Sequence, residues 1–292
     1  MVITHLSGGL GNQMFQYAAA RALSLNLNAQ LRLDISSFAI YQLHQGFELQ
    51  RIFNCSFEVA SKENIYNLLG WQSLPAVKRV LVRSSMATLR NEKFIVEPHF
   101  HYWSGIKNLF KNCYLDGYWQ SEKYFINVAE QIRKDFSFKL PMQRENAELA
   151  RRIAQGNAIS LHVRRGDYVS NPKNIATHGL CTTEFYQAAI IHIAKLVKNP
   201  HFFVFSDDIK WVKSNLKFEF PHQFVDNNHG KESYNDMRLM SLCKHNIIAN
   251  SSFSWWSAWL NANSEKIIIA PKNWFANKTF TQDLTPASWM KI

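Results

Sequence analysis

Between residues 158 and 270, apolar runs of strand length alternate with stretches of helical periodicity, and that alternation leaves few folds open. Strands are expected at 158–163, 202–206, 223–226, 246–250 and 266–270. Helices are expected between them, at 183–198, 209–216, 232–242 and 253–261. Thr182 or Thr183 caps the first of these, with Glu184 in its opening turn. Repeated βα units imply a parallel sheet with helices on both faces. The other half repeats the pattern less cleanly. A strand at 2–6 leads to a helix at 12–25, with Met14, Phe15, Ala18, Ala22 and Leu25 at helical spacing, and then a strand at 30–34. A strand at 112–116 and a helix at 122–133 follow, while residues 40–110 read as aromatic, irregular and partly helical. The fold class is therefore α/β, with two Rossmann-like domains facing a cleft, residues 1–150 and 151–292.

Composition narrows the class of ligand. A net charge of +11 suits a phosphate-bearing substrate, a nucleic acid or an anionic membrane surface. The basic residues are scattered and no Lys/Arg tract is interleaved with aromatics, so no nucleic-acid partner is expected. Cys55, Cys113, Cys181 and Cys243 are far apart and lack metal-site spacing. No signal peptide pattern and no run of about eighteen apolar residues is present, so the expected location is cytoplasmic, with peripheral contact at an inner membrane face.

Four constellations carry candidate chemistry. In His162-Val-Arg164-Arg165-Gly-Asp167-Tyr168, an apolar strand ends in two adjacent guanidinium groups. Ligands of open α/β sheets sit at such ends, and guanidinium groups match phosphate oxygens through paired hydrogen bonds. Alternation puts His162 and Arg164 on one face of the strand. Arg164 can hold a β-phosphate, His162 a base or ribose, and Asp167 can orient an arginine or take a proton from an acceptor hydroxyl. A structural reading stands beside each: a core histidine, a surface Arg–Asp pair.

Ser206-Asp207-Asp208 ends the next strand. Asp207 suits hydrogen bonds to a ribose or base edge, and Asp208 suits a helix cap. Ser251, Ser252 and Phe253 open a helix whose free N–H groups suit a phosphate, with Trp255, Trp256 and Trp259 as core. The fourth constellation is Gly8-Gly9-Leu10-Gly11-Asn12-Gln13, a glycine turn between strand and helix. Met14 stands where a dinucleotide fingerprint needs its third glycine, and no Walker lysine follows. What survives is a helix start open to an anion, or a tight turn using glycine for geometry alone. The chain contains no Asp-x-Asp, the element by which many glycosyltransferases hold a divalent ion.

With these in place, the chain resembles the α-1,2-fucosyltransferases of glycosyltransferase family 11. The matching stretches are 8–17, Leu115-Asp-Gly-Tyr-Trp-Gln-Ser121, 162–168, Phe205-Ser-Asp-Asp208, Asp236-Met-Arg-Leu-Met-Ser241 and 250–256. The resemblance implies a GT-B type enzyme that inverts the anomeric carbon, needs no metal and takes GDP-fucose as donor. O2 of a terminal galactose, on an oligosaccharide or a lipid-linked glycan, is the implied acceptor. The C-terminal domain would bind the nucleotide sugar. Arg164 would meet the β-phosphate, His162 and Asp207 would lie near guanine, and Ser251, Ser252 and Phe253 would close over the diphosphate. Gly9, Gly11, Asn12 and Gln13 would face the fucose and acceptor in an acceptor-side N-terminal domain. Asp167 is the candidate base, with Asp34 and Asp116 as alternatives. A transferase of another nucleotide sugar and a non-catalytic binding protein on the same scaffold are the rival readings.

Overall fold

The computed structural model describes residues 1–39, 45–166, 179–276 and 279–292. The chain divides into two units, Met1–Lys139 with Phe280–Leu284, and Leu140–Thr279 with Thr285–Ile292.

The first unit is built on a five-stranded parallel sheet. Its strands are β1 (Val2–His5), β2 (Leu31–Asp34), β3 (Glu58–Val59), β4 (Phe94–Val96) and β5 (Cys113–Asp116), in the spatial order β3-β2-β1-β5-β4. β1 is central, and the helix Leu10–Asn26 that follows it is buried on most of its surface. Leu25, expected on its apolar stripe, is instead exposed near the helix end.

Residues 40–110 hold more regular structure than their pattern suggests. They supply β3, β4 and the helices Lys62–Leu69 and Pro75–Leu81. Ser61 and Asn64 close a reciprocal capping box at the first helix, and Pro75 opens the second, where its missing N–H costs nothing. Ile65, Leu68, Leu69 and Leu81 bury against Phe94 and Tyr114 of the sheet. The helix expected at 122–133 begins only at Ala129. Two short 3₁₀ turns precede it, because Phe125 leaves helical geometry at φ −138°. That break lets Phe125 pack on Phe15 while Tyr124 packs on Trp119.

The second unit is a six-stranded parallel sheet ordered β11-β10-β9-β6-β7-β8. Its strands are β6 (Asn157–Val163), β7 (Pro200–Ser206), β8 (His222–Val225), β9 (His245–Ile247), β10 (Ile268–Ala270) and β11 (Met290–Lys291). β11, a two-residue edge, has no sequence signal. Both faces of β6 are covered, with Ile159, Leu161 and Val163 on one side and Ala158 on the other. The helix Arg144–Ala154 belongs here, since Leu149 and Ile153 pack with Ala158, Phe203 and Leu239. The division thus falls at 139/140, ahead of the 150/151 expected from sequence. The segment 280–284 returns to the first unit because Asp283 accepts from Tyr102 N and Ser121 Oγ and pairs with Lys123.

Each sheet reverses its strand order once. From β1 the chain goes out to β2 and β3, then returns to the opposite side as β4 and β5. From β6 it goes out to β7 and β8, then returns as β9, β10 and β11. The carboxyl ends of β1 with β5, and of β6 with β9, are therefore the switch points where α/β sheets open a crevice.

Candidate functional site

β6 delivers the Arg-Arg pair to its switch point, and the structure gives the two arginines different work. Arg164 Nη1 meets Asp207 Oδ2 at 2.7 Å, with both side chains about one-quarter exposed. Arg165 turns the other way and stacks on Trp211, its guanidinium carbon 3.7 Å from the ring centroid. Its Nε lies 3.5 Å from Asp208. Arg164 is thus held at the strand end by a partner that a phosphate can replace, whereas Arg165 is built into the helix Ile209–Asn215.

Asp207 fixes this arrangement. Its Oδ1 accepts the Arg165 backbone N–H at 2.9 Å while Oδ2 takes Arg164. Each carboxylate oxygen has a second acceptor position, so contact with a nucleoside donor stays open to it. A methyl group at Gly166 would stand 2.5 Å from Asp207 Oδ2, so a larger residue there would displace that carboxylate. Asp208 caps its helix, accepting from Trp211 N at 3.1 Å.

His162 is buried, and its Nδ1 has no hydrogen-bond partner among the described residues. Burial pushes its pKa down to about 4; the nearby Asp207 charge opposes that and Arg164 reinforces it. The imidazole is neutral at physiological pH, with one unmet polar atom where a buried group would ordinarily be satisfied. Its ring lies 5.8 Å from that of Phe253, so the β6 end and the helix opening after β9 meet.

That helix, Ser252–Leu260, starts at Ser251, whose side chain makes no capping hydrogen bond. The hydroxyls of Ser254 and Ser257 bond back to helix carbonyls and are structural. Ser251 is largely buried and Ser252 half-buried at the helix start. Asn250, just before, spends its amide on Trp274 O and accepts from Cys181 Sγ. Trp255, Trp256 and Trp259 stack into the core as expected. Asp167 lies outside the described residues.

At the first switch point, Gly8 takes φ +75°, and a methyl group there would stand 2.7 Å from Asn12 Nδ2. Gly9 precedes the helix in extended geometry, and Gly11 is buried in its first turn. Asn12 is half-buried and accepts from Gln120 Nε2 at 2.9 Å.

Gln13 does not face a ligand, contrary to the sequence expectation. It is fully buried; its amide donates to Gly8 O and Gly46 O and accepts from Glu48 N. Gln16 does similar work, bonding Ser7 and Gly117 O. The motif at 115–121 braces the same turn: Glu97 accepts from Tyr118 N and Trp119 N, and burial raises its pKa to about 7.

The two alternative carboxylates separate cleanly. Asp34 is buried and bound by Lys78 at 2.8 Å, Tyr114 Oη at 2.5 Å and Ser36 N. Burial alone would raise its pKa, but those partners hold it well below the carboxylate range. It is a structural anion. Asp116, at the end of β5, is partly exposed and meets His5 Nδ1 at 3.1 Å. The other nitrogen, Nε2, meets Ser37 Oγ. Sequence reading overlooked His5 and Ser37; the available signal was a histidine ending the strand before the glycine turn. Among the described residues, no three His, Cys, Asp or Glu side chains cluster as metal ligands would.

Residues 83–292 match the family model for glycosyl transferase family 11. The chain is 36% identical to an α-1,2-colitosyltransferase of Escherichia coli, over 100% of this chain and 99% of that protein. It is 26% identical to galactoside α-(1,2)-fucosyltransferase 1 of Rattus norvegicus, over 90% of this chain and 64% of that protein. The solved structure of NodZ α-1,6-fucosyltransferase soaked with GDP-fucose superposes with a TM-score of 0.55 at 15% identity, covering 89% of this chain and 91% of NodZ.

Proposed function

This chain belongs to glycosyltransferase family 11, with a fold of the GT-B type, and we propose that it transfers L-fucose from GDP-fucose to O2 of a terminal galactose, with inversion and without a metal. The observation that carries the donor side is Arg164, paired with a partly exposed carboxylate, beside a buried histidine whose Nδ1 is unmet among the described residues. A nucleoside diphosphate answers both. Its phosphate replaces Asp207 on Arg164, and a base or ribose donor answers His162. Ser251, Ser252 and the N–H groups of their helix start take the remaining phosphate charge.

The chemistry follows. The acceptor oxygen forms its bond to C1 as the C1–O bond to phosphate breaks, leaving its electron pair on GDP. Arg164 and the helix start stabilise that charge, as a preorganised site must where no ion does so. The glycine turn with Gly9, Gly11 and Asn12 serves the sugar and acceptor. Asp116, partly exposed at the end of β5, and Asp167, the base expected from sequence, are the carboxylates we assign to assisting loss of the acceptor's proton.

The colitosyltransferase relative supports one alternative donor, since colitose is fucose without its 3-hydroxyl. The test is release of GDP from GDP-fucose, with and without lactose, in EDTA. Lactose-dependent release that EDTA leaves intact, giving a 1,2-linked product by NMR, is expected. Faster turnover of GDP-colitose would reassign the donor, and neither release nor GDP binding would sink the reading.

A lipid-linked acceptor agrees with one stretch of the chain. The segment over residues 62–90 exposes Tyr66, Trp71, Leu74, Val80 and Leu89, and also Lys62, Arg79 and Arg83. Aromatic and aliphatic side chains among cations suit the interface of an anionic bilayer. No helix among the described residues is long and apolar enough to cross one.

A further inference from the structure

We infer that His5, oriented by Asp116 and aligned with Ser37, is the group that accepts the proton of the attacking hydroxyl. The inference rests on the reading that this chain transfers a sugar from a nucleotide donor to a hydroxyl.

Three observations converge. The first is position: His5 ends β1 and Asp116 ends β5, the two strands flanking the first sheet's switch point. The second is order: Ser37 Oγ, His5 Nε2, His5 Nδ1 and Asp116 Oδ2 form one continuous hydrogen-bonded line. With the carboxylate accepting at Nδ1, that nitrogen carries the proton and Nε2 carries the lone pair. A histidine held in one tautomer by a carboxylate, its far nitrogen aimed at a hydroxyl, is the arrangement that general-base catalysis by imidazole requires. The third is access: the His5 and Asp116 side chains are each 20% exposed, unlike Asp34 at 1%.

The surrounding charges keep this pair distinct. Lys78 is committed to Asp34 and Tyr114 one strand away. The Asp116 charge is felt by Glu97 and Arg90. Glu97 already accepts two backbone N–H groups, so it braces the turn. Ser37 occupies the Nε2 lone pair in this structure. An acceptor hydroxyl offers the same O–H chemistry and takes its place. As the acceptor oxygen bonds to C1 and the C1–O bond to phosphate breaks, leaving its electron pair on the diphosphate, the acceptor proton moves to Nε2. The imidazolium so formed is stabilised by Asp116 and returns its proton to solvent after the product leaves. His5 is then the catalytic residue and Asp116 a positioning residue.

The experiment compares wild type with His5→Gln and Asp116→Asn, using whichever GDP-sugar the wild type turns over, so donor identity is tested separately. Rates are read from pH 5 to 9, with GDP affinity and melting alongside. An imidazole base gives a rate that falls on the acid side as it protonates. Expected is a drop in kcat of about 100-fold or more in His5→Gln, with that acid limb gone and GDP affinity kept. Asp116→Asn should lower kcat and displace the limb, because its amide cannot stabilise the imidazolium. The limb should persist in Asp167→Asn. A His5→Gln enzyme within threefold of wild type, with the same pH profile, overturns the proposal. So does loss of GDP binding or of the melting transition in both variants, which would make the pair structural.

Discussion

Replacing Arg164 by alanine separates a binding arginine from a structural one. In the free protein Arg164 pairs with Asp207 at 2.7 Å, with about one-quarter exposure on each side. Pairs of that kind contribute about 0–1 kcal/mol once solvent screening is allowed for. For a chain of this size the melting temperature should therefore fall by no more than about 2–4 °C. The bound state is different. A hydrogen bond from guanidinium to phosphate is charge-assisted, and losing one costs about 1.5–3 kcal/mol. That is a roughly 10- to 150-fold loss of GDP affinity, since each 1.4 kcal/mol is tenfold. The unpaired Asp207 carboxylate then faces the diphosphate directly, which pushes the loss toward the upper end. Titration calorimetry with GDP, beside a thermal melt, reads both quantities. Arg151→Ala is the control for net charge, because Arg151 is mostly exposed and, among the described residues, pairs with Glu148 one turn away. A GDP affinity in Arg164→Ala within twofold of wild type, or a loss matched by Arg151→Ala, would refute the assignment of Arg164 to phosphate.

Gln13→Ala should destabilise the protein by about 2–4 kcal/mol in urea denaturation, because it strands Glu48 N and two carbonyls around the glycine turn. GDP affinity should stay unchanged, and a fall in affinity with normal stability would return Gln13 to the ligand. His162, whose pKa burial lowers from 6.5 to about 4, makes the folded state a poorer proton acceptor than the unfolded chain. Stability carried by the neutral ring is therefore complete above about pH 6.5 and lost as pH falls toward 4, by about 3 kcal/mol. The urea midpoint of His162→Gln should fall less than that of wild type across this window, and parallel curves would count against the shift. Trp71→Ala with Leu89→Ala should abolish co-sedimentation with phosphatidylglycerol vesicles while leaving lactose-dependent turnover intact. Wild type that ignores such vesicles would point this face at a protein partner.

Much of the second unit was legible because its strands are apolar, and turn chemistry separates them. The run 158–163, ending in Arg-Arg, announces a buried strand and its functional edge at once. The first unit was harder for a physical reason. β3 is two residues long and β4 three, too short for any period to register. The helix-to-turn break at Phe125 answers the demand of two aromatic rings for space around Phe15 and Trp119, and residue order does not encode that demand. The glycine motif misled in one respect. Asn12 and Gln13 are adjacent amides, alike on paper, yet successive helical positions point about 100° apart. One ends half-buried beside Gln120, the other fully buried under the loop at Gly46. His5 went unread because it precedes the motif and its partners come from 32 and 111 residues away.

The ion pairs at the two strand edges indicate which side chains can exchange partners. Lys78 and Asp34 are 13% and 1% exposed; their charges left water on folding, and breaking the pair would strand a buried carboxylate. That pair is fixed. Arg164 and Asp207 keep about twice the exposure of Lys78 and far more than Asp34. Exchanging one anion for another on Arg164 therefore leaves no buried charge uncompensated, and Asp207 retains the Arg165 N–H when it lets go. On the proposed reading, the carboxylate does for the free protein what the phosphate does in the complex. It holds the guanidinium at the strand end, so that a diphosphate binding as proposed would leave it little reorganisation. A neutral partner such as asparagine would bind Arg164 less firmly and lose that positioning. Asp207→Asn should accordingly weaken transition-state stabilisation more than GDP binding, since it also removes a negative charge that opposes the diphosphate. Its kcat should fall while its GDP affinity holds or rises, and a fall in both together would mean that Asp207 serves the nucleotide directly.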